Sequence, residues 1–270
     1  MTTTGAGPFA VAGFDEVHLA ASPLTRVLAQ VQFPPLSALI ADDRVAGEFA
    51  AVVRSSYPIM VPQQESTFLI GPQGVQEQPL TTRSWQLRSA DESWGVHVGS
   101  SFLSLDTGAY VSRSDFLSRW DAVWSAFVGL ADPPVTTRVG IRYINQVADE
   151  ALLEHLDALL EPPVLGMVGV PLDGAERLHA LGQAQFRVEE SRFLTVRSGL
   201  VPAGLVLDPS VPPSDRPCWV LDLDAFEETR GDAAPPRVRE VLATSAALAH
   251  AFFRWSTTDR FIETFGGGAS

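Results

Sequence analysis

The stretch FLSLDTGAYVSRSDFLSRWDAVWSAFVGL, residues 102–130, decides the fold class. Leu103 and Leu105 alternate with Ser104 and Asp106, which predicts a β-strand over residues 102–106. From residue 113 to residue 130, apolar residues recur at helical spacing and share one face. The stretch therefore predicts a strand followed by a long amphipathic helix, whose apolar stripe comprises Phe116, Trp120, Val123, Trp124 and Phe127.

Similar patterns extend outward in both directions from this stretch. Alternation predicts strands over residues 23–33, 68–70, 84–88, 95–98, 139–145, 183–188, 192–197 and 219–224. Helical spacing predicts helices over residues 42–53, 150–160 and 236–255. We predict an α+β fold in which long amphipathic helices pack on one face of one or more antiparallel sheets.

The two halves of the chain share an order of elements. Each half contains a hairpin with an acidic turn, a strand and a long aromatic helix, and the strand carries LSLD at residues 103–106 or LDLD at residues 221–224. This order predicts two similar halves, residues 21–150 and 175–262, within one α+β domain over residues 21–262. We expect a flexible segment over residues 1–20 and a disordered tail over residues 263–270.

The charge composition excludes several kinds of chemistry. All 19 basic residues are Arg, so the chain has no lysine for a Schiff base or a phosphate-binding loop. The formal net charge of −13 repels nucleic acids and anionic membranes at long range. A basic protein partner, or a second copy of the chain, is the expected partner, and nucleic acid is not.

Cysteine use and hydropathy indicate the compartment. Cys218 is the single cysteine of the chain, which favours a reducing environment. The sequence predicts neither a secretory signal nor an apolar stretch long enough to span a membrane. We therefore expect a cytoplasmic protein in which Cys218 is a buried apolar thiol on a strand.

Two short blocks carry a resemblance to a known family. Residues 23–35 form an early strand that closes on Phe33-Pro34-Pro35, and residues 142–145 read Arg-Tyr-Ile-Asn. Together they resemble a sporadically distributed bacterial family of uncharacterised proteins of about this length. The resemblance implies an accessory protein, such as a component of a defence system, and it supplies no catalytic residue or cofactor.

Three carboxylates are candidate metal ligands. Asp222 and Asp224 are two residues apart on a predicted strand, so they point to the same side of the sheet. Asp106 holds the corresponding place in the other half and could join them around a hard cation such as Mg²⁺. The alternative is that all three face solvent while the neighbouring apolar residues face the core.

Arg142, Tyr143 and Asn145 are candidate ligand-binding residues. Tyr143 and Asn145 share one face of their strand, and Arg142 lies on the other. Tyr143 and Asn145 could line a small polar pocket. Alternatively, Tyr143 is buried and Arg142 is paired with an acid across the sheet.

We expect no catalytic residues, because no acyl-transfer elbow, dinucleotide fingerprint or zinc-type histidine spacing occurs. The leading hypothesis is a non-enzymatic protein-interaction or assembly protein that needs no cofactor. One alternative is a metal-dependent hydrolase or nuclease that uses Asp106, Asp222 and Asp224. A second alternative is a small-molecule sensor with a pocket near Tyr143 and Asn145.

Overall fold

The computed structural model describes residues 7–9, 17–71, 74–205 and 213–266, and for residues 64–71 and 74–83 it describes the backbone alone. Nine strands and eight helices occur along these residues, so the predicted α+β class is confirmed. No helix in this part of the chain is both long enough and apolar enough to cross a membrane.

The strands are β1 (Leu24–Gln32), β2 (Ile59–Gly71), β3 (Gly74–Arg88), β4 (Trp94–Val98), β5 (Phe102–Thr107), β6 (Thr136–Val147), β7 (Ala180–Arg187), β8 (Arg192–Val201) and β9 (Cys218–Gly231). The helices are α1 (Ser37–Ala41), α2 (Arg44–Val53), α3 (Arg113–Ala131), α4 (Glu150–Leu153), α5 (Leu156–Leu159), α6 (Pro162–Leu165), α7 (Pro235–Ser256) and α8 (Asp259–Thr264). A 3₁₀ helix over Gly166–Gly169 follows α6.

The nine strands form an antiparallel sheet in the order β2-β3-β4-β5-β1-β6-β9-β8-β7. Among the described strands, β2 and β7 lie at the two ends of this order. The chain divides into two compact units. The first unit contains Met1–Val27, Ile141–Phe226 and Thr244–Ser270, and the second contains Leu28–Gly140 and Glu227–Ala243.

The core of the second unit depends on α3. The Ser112 hydroxyl caps the start of this helix by accepting a hydrogen bond from the backbone N–H of Asp115 at 3.1 Å. Trp120 and Trp124 stack with their ring centroids 5.9 Å apart, and both are fully buried. The Trp124 indole N–H donates to the carbonyl of Ala233 at 3.0 Å. The prediction that this aromatic stripe belongs to the core is confirmed.

The core of the first unit forms between strands and the C-terminal helices. Alternation along β9 directs Trp219, Leu221 and Leu223 into this core. Phe252 of α7 and Phe261 of α8 pack in the same cluster. Because those three residues of β9 face the helices, Asp222 points to the opposite side of the strand.

The structure extends or divides several predicted elements. The predicted strand over residues 68–70 is part of the longer strand β2. Because the middle of β2 is polar and the strand contains Pro62, it lacks the apolar alternation of a half-buried strand. The predicted helix over residues 150–160 is interrupted at His155, where the backbone leaves the helical conformation. Helix α8 was not predicted, and Phe265 after it is buried.

The ends of the chain are only partly described. Residues 1–6, 10–16 and 267–270, which contain most of the predicted flexible segment and tail, lie outside the described residues. Leu19 belongs to the core of the first unit. The backbone N–H of Ala21 donates to the carbonyl of Phe265 at 3.0 Å. The chain is therefore structured on both sides of the predicted boundaries at residues 20 and 262.

Gly95 provides a test of the packing between β4 and β5. Its register partner on β5 is Asp106, and a Cβ atom at position 95 would lie 2.8 Å from Asp106 Oδ1. We expect Gly95→Ala to lower the free energy of unfolding by about 1–3 kcal/mol, because the buried carboxylate must move. Urea denaturation measures this change.

Gly129→Ala is the matched control. Nothing lies within 4 Å of a Cβ atom built at Gly129, which is in the last turns of α3. Since alanine is a better helix former than glycine, the free energy of unfolding of this variant should be about 0.5–1 kcal/mol higher than that of the wild type. If Gly95→Ala and Gly129→Ala changed the free energy of unfolding equally, Gly95 would not be required for the packing of β4 against Asp106.

Candidate functional site

Asp222 is held between two arginines of the first unit. Its Oδ1 atom accepts from Arg142 Nε at 2.7 Å, and its Oδ2 atom accepts from Arg142 Nη2 at 2.7 Å and from Arg197 Nη1 at 3.0 Å. Gln183 extends this network, because its Oε1 atom accepts from Arg197 Nε at 2.8 Å. The Asp222 side chain is only 6% exposed. The alternative in which Arg142 pairs with an acid across the sheet is confirmed.

This arrangement bears on the hypothesis of a metal site. Both carboxylate oxygens of Asp222 already accept charge-assisted hydrogen bonds, which makes this residue a poor ligand for a cation. Asp224 is half-buried, and Asp106 is buried on β5. Among the described residues, no group of three or more His, Cys, Asp or Glu side chains could hold a metal ion. The structure therefore gives this hypothesis no support.

Tyr143 and Asn145 take part in packing. Asn145 is buried, and its amide Nδ2 donates to the carbonyl of Leu221 at 3.2 Å. Tyr143 is half-buried and packs against the core of the first unit. Both side chains therefore already have contacts within the fold.

A second polar cluster crosses β3, β4 and β5 in the second unit. His97 Nε2 lies 3.2 Å from Asp106 Oδ1 and 3.1 Å from Gln86 Nε2. Gln86 Oε1 also accepts from Arg88 and from Gln63. Because both His97 contacts use one ring nitrogen, the histidine either donates to Asp106 or accepts from Gln86. The cluster therefore brings the His97 imidazole to one oxygen of the buried Asp106 carboxylate.

Tyr57 is another buried titratable group of the second unit. Burial raises its pKa to about 12, and the negative charges of Asp106 and Asp115 act in the same direction, against the opposing charge of Arg119. The phenol therefore stays protonated at neutral pH. It is available as a hydrogen-bond donor and not as a general base.

Cys218 begins β9 and is 1% exposed. Burial raises the pKa of its thiol, and a hydrogen bond with Ser214 opposes that shift. A thiol with a raised pKa and no access to solvent reacts slowly. The prediction of a buried thiol on a strand is confirmed.

The first unit also contains a mostly apolar groove of about 800 Å³. Its walls come from α6 with the adjoining 3₁₀ helix, from the edge strand β7, from β8 and from the end of α7. Residues 179–184 line it consecutively, which means that the groove follows the edge of β7 as well as one of its faces. The Ser198 hydroxyl donates to the carbonyl of Val164 at 2.7 Å and thereby ties β8 to α6.

An aromatic cluster lies in this groove. Phe186 of β7 and Phe252 of α7 have their ring centroids 6.0 Å apart, and Trp255 is 5.3 Å from Phe252. The ring of Phe9, from the N-terminal segment, is 5.3 Å from Phe186 and 6.3 Å from Phe252. These distances are typical of favourable aromatic pairs. The groove therefore already accepts an aromatic side chain from a short segment that contains proline, since Pro8 lines it too.

The surface beside the groove is unusually apolar. Met167 is 69% exposed and Leu178 is 70% exposed, and Val170, Leu172 and Leu181 are exposed as well. Exposed single apolar residues are common, but a cluster within residues 167–181 is typical of an interaction surface.

Gly199 sets the distance between β7 and β8 at the groove. A Cβ atom at this position would overlap the carbonyl oxygen of Ala180. This close approach of two backbones is possible because glycine has no side chain. One wall of the groove therefore depends on Gly199.

Sequence analysis did not find this groove. The stretch Gly166-Met167-Val168-Gly169-Val170, which connects the two halves, is apolar without strand or helix periodicity. An apolar connector is a signal for an exposed interaction surface. The aromatic residues of α7 gave a weaker signal, because the sequence does not show which of them lies beside β7.

Comparisons of the chain with protein families, with characterised proteins and with solved structures found no match. The resemblance carried by residues 23–35 and 142–145 therefore stays a prediction.

Asp222 provides a test of the ion-pair network. We expect Asp222→Ala to lower the free energy of unfolding by about 3 kcal/mol, because it removes the carboxylate that pairs with the mostly buried Arg142. Urea denaturation measures the change. The control is Asp215→Asn, which removes an exposed carboxylate and should change stability by less than about 0.5 kcal/mol. If Asp222→Ala left the free energy of unfolding unchanged, the ion-pair network would add nothing to stability.

Cys218 provides a test of burial at the start of β9. In the native protein at pH 8, we expect its reaction with Ellman's reagent to be about 100-fold slower than in guanidinium chloride. That factor corresponds to an opening free energy of about 3 kcal/mol. The released thiolate is followed by absorbance, with Cys218→Ala as the blank. Immediate reaction of one thiol per native chain would contradict the burial.

Proposed function

We propose that this protein is a non-enzymatic binding protein that captures an extended segment of a partner protein in the groove of its first unit. An aromatic side chain of that segment would lie between Phe186 and Phe252. The observation that carries the proposal is the position of Phe9, whose ring contacts both of these rings in a groove that follows a sheet edge.

The edge of β7 supplies the second part of the proposed interaction. An edge strand offers unpaired backbone groups, and partner segments bind such edges by adding a strand. Residues 180–186 carry no charge and no proline, which are the usual protections of an edge. The other edge strand, β2, contains Pro62 and an irregular register between Gln64 and Ser66. Of the two edges, β7 is therefore better suited to accept a strand.

We also propose that the fold consists of two similar halves, with long helices packed on one face of each. The strand order supports this, because β1, β5, β4 and β3 of the first half mirror β6, β9, β8 and β7 of the second. The long helices α3 and α7 follow β5 and β9 in the same way. Under this correspondence, β2 has no counterpart among the described strands, and a bound partner strand would take that place beside β7.

The charge of the chain indicates the kind of partner. A formal net charge of −13 accelerates encounters with a basic protein and slows those with an acidic one. Such steering acts on the rate of association, whereas the groove and the strand edge would supply the affinity. We therefore propose a basic partner that presents an apolar, aromatic segment.

Selection from a library of random peptides displayed on phage tests the proposal. We expect the selected peptides to share an aromatic residue. Binding to Ala184→Arg should be at least about tenfold weaker, because Ala184 lines the groove on the same face of β7 as Phe186 and the substitution places a charge there. Amide hydrogen exchange in residues 180–187 should slow when a selected peptide is bound, since an added strand pairs with β7.

Ile40→Arg is the matched control. Ile40 is 58% exposed on α1 in the second unit and is not part of the groove, so this variant should bind like the wild type. Equal binding by Ala184→Arg, slowed exchange at β2 in place of β7, or the absence of any enriched peptide would each contradict the proposal. So would a small molecule that occupies the groove in the protein purified from its host.

A further inference from the structure

We infer that Pro8 and Phe9 act as an intramolecular ligand of the groove and compete with the partner segment for it. This inference rests on the proposed function and adds a mode of regulation to it. The N-terminal segment would hold the groove in a self-occupied state, from which a partner must displace it.

Phe9 lines the groove and contacts two of its aromatic residues. Its ring is within aromatic contact distance of both Phe186 and Phe252. The rings of Phe186 and Phe252 also contact each other, at 6.0 Å. Phe9 therefore completes a three-ring cluster in which it is the one member that lies outside the strands and helices.

The folded core does not depend on Phe9. The core cluster of the first unit contains Phe252 and packs against Phe186, and Phe9 is not among its buried members. Phe9 itself is 40% exposed, unlike the fully buried Phe261 of the same unit. A side chain that fills a groove while keeping much of its surface in water is held weakly enough to be exchanged.

Self-occupancy has a measurable effect on affinity. When the groove is open in only a fraction of the molecules, the apparent dissociation constant of a partner segment equals the intrinsic constant divided by that fraction. If the segment occupies the groove in about nine molecules of ten, its removal tightens the binding of another segment roughly tenfold.

A fluorescent peptide of residues 4–12, TGAGPFAVA, tests the inference by anisotropy with the full-length protein. We expect the peptide to bind the Phe9→Ala variant roughly tenfold more tightly than the wild type, because the internal competitor is gone. Phe9→Trp, which keeps an aromatic ring in the groove, should remain close to the wild type. The control peptide TGAGPAAVA should bind neither variant.

The outcomes separate this inference from the proposed function. Equal affinity for the wild type and Phe9→Ala, combined with weaker binding to Ala184→Arg, would overturn self-occupancy and leave the groove as a binding site. Failure of the peptide to bind Phe9→Ala would also overturn self-occupancy, and the phage selection would then decide the proposed function alone. A cooperative thermal unfolding transition of Phe9→Ala shows that the variant is folded.

Discussion

Side chains along a strand must alternate between two sides, and in β9 this constraint organises the first unit. Trp219, Leu221 and Leu223 fill the core on one side, so Asp222 has to lie on the other. A carboxylate with 6% exposure requires counter-charges, and Arg142 and Arg197 provide them from β6 and β8. The apolar core and the ion-pair network are thus two results of one alternating pattern.

The groove differs from the rest of the first unit because its apolar surface stays open. Packing elsewhere leaves residues such as Leu221 and Phe261 fully buried, whereas Met167 and Leu178 remain largely exposed. The exposure of such apolar surface to water is unfavourable in free energy, and a bound segment would remove that surface from water. The groove, the unprotected edge of β7 and the contacts of Phe9 all favour the same kind of ligand, an extended segment with an aromatic side chain.

The sequence predicted those parts of the fold whose periodicity is strong. The helix α3 and the strands β1, β4 and β5 agree with their predicted ranges closely, because each buries one apolar side. Only residues 68–70 and 84–88 of the long hairpin of β2 and β3 were predicted, because most of these two strands has no apolar alternation. The Arg142 pairing was one of two alternatives, because the sequence does not show which strands are neighbours.

The candidate site was beyond sequence analysis for a related reason. The groove combines β7, α6 and the end of α7 with a segment from the start of the chain. No local pattern links Phe9 to Phe186 or Phe252, which are far apart in the sequence. Periodicity predicts which side of an element is buried, and it does not predict which buried sides leave a space between them.

The close approach at Gly199 has a consequence for variation at this position. Any side chain there would push Ala180 away from β8, yet Ala180 is not part of the core cluster that holds the first unit together. Natural variants at this codon would therefore tend to lose the binding groove while keeping a folded domain. Such alleles would separate the loss of an interaction from the loss of the protein, which is what a genetic dissection of its role requires.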